Sequence, residues 1–253
     1  MTSKTMNSPI IDALEKKEKE RAVHAHGSFP YEILKQLEAV LPDSMENTAE
    51  TGCGRSTILF SNISKNHFAF CIDDHDYKDQ SSVLYFEDSE MGIKDRVTWE
   101  FGPTQKTLPR YTHNCQYDCV LIDGPHGYPF PDMEYYFFYP HIKPGGYLII
   151  DDIHIPSIGR MADILQEDAM WNFITLISTT VVLQRTEAEE TPTFGDQWWT
   201  QDYNRRRVNP QMEFFLDDGQ KLESFASRNA RREKRENAPK HMKIFYKIRN
   251  LFG

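Results

Sequence analysis

Residues 50–57 read Glu50-Thr51-Gly52-Cys53-Gly54-Arg55-Ser56-Thr57. The architecture of the whole chain turns on this octapeptide. A glycine-rich turn between a strand and a helix lets the chain reverse tightly, lets a ligand approach the backbone and leaves free N–H groups at the helix N-terminus. Residues 47–50 supply a short strand before the turn, and a helix begins at about Ser56. The strand is assigned mainly from the glycine turn after it, because Asn47-Thr48-Ala49-Glu50 lacks large apolar side chains. An ordinary tight turn has the same composition. A dinucleotide fingerprint would require a third glycine where Thr57 stands, so a nicotinamide cofactor is disfavoured.

Downstream of the turn, strand-like and helix-like stretches alternate. Strands are predicted at 67–72, 97–101, 117–122 and 146–150, with helices at 81–91, 132–139 and 158–168. Such alternation is what a parallel sheet covered by crossover helices requires. The predicted fold class is therefore α/β, a doubly wound, mostly parallel, Rossmann-like sheet. Residues 177–183 and 211–216 are the candidate strands of a C-terminal antiparallel hairpin. Upstream, residues 8–21 read as an exposed helix. Ile33, Leu34, Leu37, Val40 and Leu41 mark a packing helix over 30–41, bracketed by Pro30 and Pro42. The expected organisation is an N-terminal helical extension at 1–29, a main domain at 30–227 and a basic tail at 228–253.

A chain of 253 residues, 39% hydrophobic and 13% aromatic, can bury a substantial core. Its net charge of −9 argues against a body built to lie along phosphate backbones, so no nucleic-acid partner is expected. Four cysteines are too few for a disulfide scaffold. Cys115 and Cys119 lack the further pair or paired histidine that would complete a zinc site. No secretory leader and no apolar run long enough to span hydrocarbon can be read, which points to a cytoplasmic protein. Residues 228–253 hold nine Lys/Arg against two Glu, whereas the rest of the chain holds 20 basic and 36 acidic residues. This tail reads either as a solvated helix or as a peripheral contact with anionic lipid or an acidic partner protein. The long polar segment 186–210 carries Trp198, Trp199 and Tyr203, which could stack on a sugar face or pin the segment to the body.

Two further constellations carry chemistry. Asp73 lies 21 residues after Gly52, close to the ~20-residue spacing at which an acidic side chain meets ribose hydroxyls, and Asp74 is its immediate neighbour. Asp123 and Asp151 each end an apolar strand, 28 residues apart, about one strand-helix-strand unit. On neighbouring strands ~4.8 Å apart, their carboxylates, joined by Asp152, would meet at the C-terminal edge of the sheet. Three Asp oxygens plus water suit Mg²⁺ or another hard divalent cation; capping of the adjoining turns is the alternative.

These four motifs in this order resemble class I S-adenosylmethionine-dependent methyltransferases: Glu-x-Gly-x-Gly-x-Ser at 50–56, the acidic strand end at 73, Tyr-Asp-x-Val-x-Ile-Asp-Gly at 117–124 and Lys-Pro-Gly-Gly-Tyr-Leu-Ile-Ile-Asp-Asp at 143–152. The likeness covers roughly residues 30–185. The run Ile122-Asp123-Gly124, with His126 and Tyr128 after it, is similar to the sugar and small-molecule O-methyltransferase branch, including macrocin-type enzymes, and more distantly to catechol-type enzymes.

The resemblance implies S-adenosyl-L-methionine as cofactor. Glu50, Gly52, Gly54 and Ser56 would line its methionine part and Asp73 its ribose. The segment containing Thr104 would meet adenine, although the small-acidic pair of many relatives is missing there. It also implies a divalent ion at Asp123, Asp151 and Asp152, where the third position is commonly Asn in the catechol-type enzymes. His126 is the candidate general base, because an imidazole with an ordinary pKa of about 6.5 takes up a proton near neutrality. His154 is the alternative. The expected acceptor is a hydroxyl of a sugar, glycan or glycosylated small molecule. N- or C-methylation, nucleic-acid methylation and a non-catalytic cofactor-binding adaptor are the competing readings.

Overall fold

A computed structural model describes residues 8–19, 29–190, 198, 201–207, 214–215 and 221–222 of the chain. Trp199 and the tail 228–253 lie outside the described residues. Contacts divide the chain into two compact units. One comprises residues 1–166 and 170–188; the other comprises residues 167–169 and 189–253.

In the first unit the chain runs α1 (Pro9–Lys19), α2 (Tyr31–Val40), β1 (Met45–Thr51), α3 (Arg55–Ile63), β2 (Ser64–Cys71), α4 (Ser82–Asp88), β3 (Val97–Phe101) and α5 (Thr104–Thr107). It continues through β4 (Tyr117–Ile122), α6 (Phe130–Phe138), β5 (Ile142–Ile150), α7 (Pro156–Gln166), β6 (Trp171–Ile177) and β7 (Thr180–Arg185). The sheet order is β3-β2-β1-β4-β5-β7-β6. The first five strands in that order are parallel, and β7 runs antiparallel to both β5 and β6. This is the doubly wound, Rossmann-like architecture expected from the alternation.

Successive residues of the central strands feed opposite faces. Cys119 and Leu121 belong to the cluster that holds Leu34, Leu37, Leu59 and Phe86, while Val120 and Ile122 belong to the cluster that holds Phe138, Ile158, Met161 and Leu165. Helices α1–α4 thus cover one face, and α6 and α7 the other. Strands buried on both sides explain why 119–122 and 147–150 read as unbroken apolar runs.

The polar strand β1 is central because its buried hydroxyls find partners. Thr48 Oγ1 meets Ser64 Oγ at 2.9 Å and His67 Nδ1 at 2.8 Å, and Thr51 Oγ1 donates to Glu134. Helix α1 is part of the core through Ile11 and Leu14. Glu38 of α2 accepts from the backbone N–H groups of Ile10 and Ile11 and so caps α1. Near the other end of α1, Glu18 accepts from the hydroxyls of Tyr31 and Tyr85 and pairs with Arg55 at 3.0 Å. The Arg55 guanidinium also covers the Tyr31 ring, 4.3 Å from its centroid.

One strand pairing corrects the sequence reading. The antiparallel hairpin is β6 with β7, reversing at Ser178-Thr179, and residues 177–183 span that reversal. Neither Gly, Asn nor Pro marks the turn; Ser178 itself adopts the left-handed φ of 55°. In the second unit, helix α8 (Asp202–Arg207) precedes a short pair, β8 (Phe214–Phe215) with β9 (Lys221–Leu222). The strand expected at 211–216 therefore pairs there and does not join the large sheet. No helix among the described residues is long and apolar enough to cross a membrane.

Candidate active site

The order of strands reverses between β1 and β4, the point at which open α/β sheets form a crevice at their carboxyl ends. The glycine turn leaves β1 here. Gly52 has φ +91°, and a Cβ on it would lie 2.7 Å from the Asp123 carbonyl oxygen, so a side chain is excluded both by conformation and by space. Gly54 has φ +151° with open space where its Cβ would be. The Gly54 N–H donates to Thr57 Oγ1 at 2.8 Å, and that hydroxyl donates to Glu50 Oε1. His67 Nε2 lies 3.0 Å from the same oxygen. Glu50 Oε2 is buried and has no hydrogen-bond partner among the described residues. Ser56 is buried in the first turn of α3.

At the end of β2, Asp73 is exposed and bonds His75 Nδ1 at 2.5 Å. This contact holds Asp73 below, and His75 above, their ordinary pKa values. Asp74, expected beside it in the crevice, points elsewhere. Both of its oxygens serve the start of α4, accepting from Ser81 Oγ at 2.6 Å, Ser82 N at 2.7 Å and Val83 N at 3.2 Å. It acts as a capping group. Thr104 comes after β3 and is buried, its hydroxyl donating to Glu134 Oε1 at 2.7 Å.

The ends of β4 and β5 are adjacent, with Ile122 opposite Ile150 and the Asp151 N–H donating to the Ile122 carbonyl at 3.1 Å. Asp123 and Asp151 are thus neighbours, as their spacing predicted. The three closest donor atoms, however, come from Asp123, His126 and Asp152, all within 4.8 Å of one another. His126 Nε2 is 3.7 Å from Asp123 Oδ1 and 3.5 Å from Asp152 Oδ2. Asp151 sits behind this group, with Oδ1 accepting from the Thr180 hydroxyl. Asp152 reaches the group from a left-handed backbone, φ 56°. His154 is mostly exposed, 3.6 Å from Asp152 Oδ1.

The electrostatics of the cluster arise from burial and like charge. Burial pushes Asp123 up to about 7, helped by Asp151 and Glu50 and opposed by His126. Burial raises Asp151 as well. Asp123, then Asp152 and Asp151, raise the pKa of His126 against the opposing effect of burial, which strengthens it as a proton acceptor. The His126 loop is clamped from α7: Ser157 Oγ donates to the His126 carbonyl at 2.5 Å, and Arg160 covers the Tyr128 ring while pairing with Asp132 at 2.7 Å. Tyr128 is 71% exposed.

One buried acid escapes the sequence reading. Glu134 lies within the aromatic helix 130–138, where nothing in the residue pattern marks it as a site residue. Burial pushes it up to about 7 against the pull of Thr104 and Thr51. The one signal for it is Gly124, because any Cβ there would collide with both carboxylate oxygens of Glu134.

The sequence profile of a family described as "Methyltransferase domain" matches residues 49–153, the span from β1 through the end of β5 that holds the glycine turn, Asp73, Asp123, His126 and the 151–152 pair. No curated protein sequence matches the chain. Among solved structures, the O-methyltransferase TomG of Streptomyces achromogenes, involved in tomaymycin synthesis and in complex with S-adenosylmethionine, is 16% identical with a TM-score of 0.50. The match covers 71% of this chain and 91% of TomG. The S-adenosylhomocysteine-bound methyltransferase PaMTH1 of Podospora anserina is 13% identical with a TM-score of 0.50, over 71% of this chain and 88% of the other. At such identities the likeness is one of fold. The profile match over residues 49–153 is thus to a methyltransferase domain, and the sheet order is that of the Rossmann-like methyltransferase fold.

Proposed function

We propose that the protein is an S-adenosylmethionine-dependent O-methyltransferase acting on a hydroxyl of a sugar, glycan or glycosylated small molecule. The observation that supports this reading is the close approach of the Gly52 backbone to the Asp123 carbonyl, near enough that a Cβ on Gly52 would strike it, so that the glycine turn lies beside the strand end that leads into the Asp123–His126–Asp152 cluster. The buried Glu50 oxygen without a partner and the open space before Gly54 fit a ligand bearing an ammonium group and a nucleoside. When bound, S-adenosylmethionine supplies an electrophilic methyl on a sulfonium.

The chain's contribution is to hold an acceptor oxygen in line behind that methyl and to take its proton. The cofactor would supply the methyl, its bonding pair remaining on sulfur as the C–O bond closes, and His126 Nε2 would take the hydroxyl proton. Asp123 and Asp152 would hold a divalent cation; their carboxylate oxygens suit Mg²⁺ or Mn²⁺, which would lower the pKa of a bound hydroxyl. Tyr128, backed by Arg160, offers a flat apolar face to the C–H edge of a sugar ring.

A second role for His126 is favoured by its grouping with Asp123 and Asp152: third ligand rather than base. Titration with Mn²⁺ monitored by electron paramagnetic resonance separates the two, since His126→Ala leaves Mn²⁺ affinity intact only if His126 is the base. The function itself is tested by S-adenosylhomocysteine release across a panel of glycosides and phenols, with and without chelator. Glycoside-dependent release abolished by chelator is the expected result. Tight cofactor binding without release on any acceptor would leave a cofactor-binding adaptor, and release that chelator does not touch would remove the metal alone.

A further inference from the structure

Glu134 belongs to neither the glycine turn nor the acidic cluster, yet it touches the supports of both. Its side chain is fully buried under the C-terminal edge of the sheet. Oε2 accepts from Thr51 Oγ1 at 2.8 Å, and Oε1 accepts from Thr104 Oγ1 at 2.7 Å. Thr51 is the last residue of β1, directly before Gly52, and its hydroxyl also accepts the Asp123 N–H at 3.0 Å. Thr104 opens α5 directly after the turn that leaves β3. One carboxylate therefore ties the exits of β1, β3 and β4, three loops of one crevice, through two hydroxyls.

The fit is close. Gly124 leaves the space of a missing Cβ for the carboxylate, since any side chain there would strike it. A buried acid is costly unless its oxygens are bonded, and here each oxygen has a donor. A residue serving only the core could be apolar at this place; a carboxylate aimed at two loop hydroxyls constrains the loops.

We propose that Glu134 is a positioning residue: it fixes the glycine turn and Asp123 in the mutual register that cofactor binding requires. This rests on the methyltransferase function proposed for the crevice. Glu134 acts through Thr51 and Thr104, and so is not itself a catalytic group.

The test is isothermal titration of the full chain with S-adenosylhomocysteine, alongside thermal melting, for wild type, Glu134→Gln, Thr51→Val and Thr51→Ser. Gln preserves shape but presents an amide donor to one hydroxyl that now donates; Val removes the hydroxyl link, and Ser retains it. The expected result is binding weakened about tenfold in Glu134→Gln and Thr51→Val at unchanged stoichiometry, with Thr51→Ser close to wild type; this corresponds to roughly 1.4 kcal/mol. Unchanged affinity in Glu134→Gln overturns the proposal, as does reduced stoichiometry at unchanged affinity, which marks loss of folded protein alone. Should Glu134→Gln fail to fold, the Thr51→Val and Thr51→Ser pair decides by the same criteria. A wild type that binds no S-adenosylhomocysteine removes the functional reading and this proposal together, whereas wild-type binding with an unimpaired Thr51→Val removes this proposal alone.

Discussion

The two ends of β4 carry an aspartate each, five residues apart in sequence, and treat them in opposite ways. Asp118, near the strand's start, pairs with Lys143 and accepts the backbone N–H groups of Glu46 and Asn47, both at 2.9 Å. Burial works against its charge, but Lys143 and those donors hold it below the ordinary carboxylate value. Asp123, past the strand's end, has other carboxylates for neighbours and only His126 to offset them, and its pKa rises. The first arrangement stabilises the fold; the second costs stability, the arrangement expected of groups that serve the proposed ligand site.

The largest expected effect breaks the second region. Asp123→Asn lowers turnover by about 100-fold or more, as loss of a group that orients both base and cation does. In chelator at about pH 8, above the raised Asp123 value, its melting temperature equals or exceeds that of wild type, because a repelling charge has gone. Calorimetry beside a methyl-transfer assay checks both halves; a marked fall in melting temperature would make Asp123 a structural acid like Asp118.

A smaller effect of the opposite kind is expected from Asp118→Ala. Urea titration should show a loss of about 1 kcal/mol, the usual net worth of hydrogen bonds whose donors water can still reach, while turnover per folded molecule stays constant. Changed turnover would mean that the two ends of β4 are coupled.

The smallest effect concerns pH at the Asp118 end. His113 Nδ1 meets the Tyr117 hydroxyl at 2.9 Å, and its ring stacks on His141, with 4.3 Å between centroids. Burial, then His141, pushes His113 down to about 4 from an ordinary 6.5. The unfolded chain therefore binds a proton that the folded chain refuses between those values, so this histidine's contribution to stability is present above about pH 6.5 and is lost as pH falls toward about 4. His113→Phe should flatten that part of the slope, read as the difference between wild-type and variant melting temperatures at about pH 4.5 and about pH 7. Parallel slopes would show that His113 takes up its proton without unfolding.

The same contrast explains how much is legible in the chain itself. The exits of β1 and β4 announce themselves because Gly52, Gly54 and the Ile122-Asp123-Gly124 run are residue types that a tight turn or a ligand demands. The interior of β1 does not: Thr48, Glu50 and Thr51 look like loop residues until Ser64, His67 and Glu134 are known to face them, and those partners are distant in sequence. Asp73 and Asp74 are adjacent and chemically identical, and only the position of α4 separates an exposed acid beyond the strand end from a helix cap. The Ser178 reversal is silent because an ordinary residue takes the backbone that glycine or asparagine usually signals.

Helix α1 looks from its charged sequence like an appendage that could be trimmed. Glu18 makes it otherwise. A chain beginning at residue 30 would leave the Arg55 guanidinium, one residue beyond Gly54, without its counter-charge in a half-dry place, and the Tyr31 and Tyr85 hydroxyls without an acceptor. Shortening the protein at its front would thus be felt at its ligand turn, and a truncated form chosen for convenience would report on a different crevice.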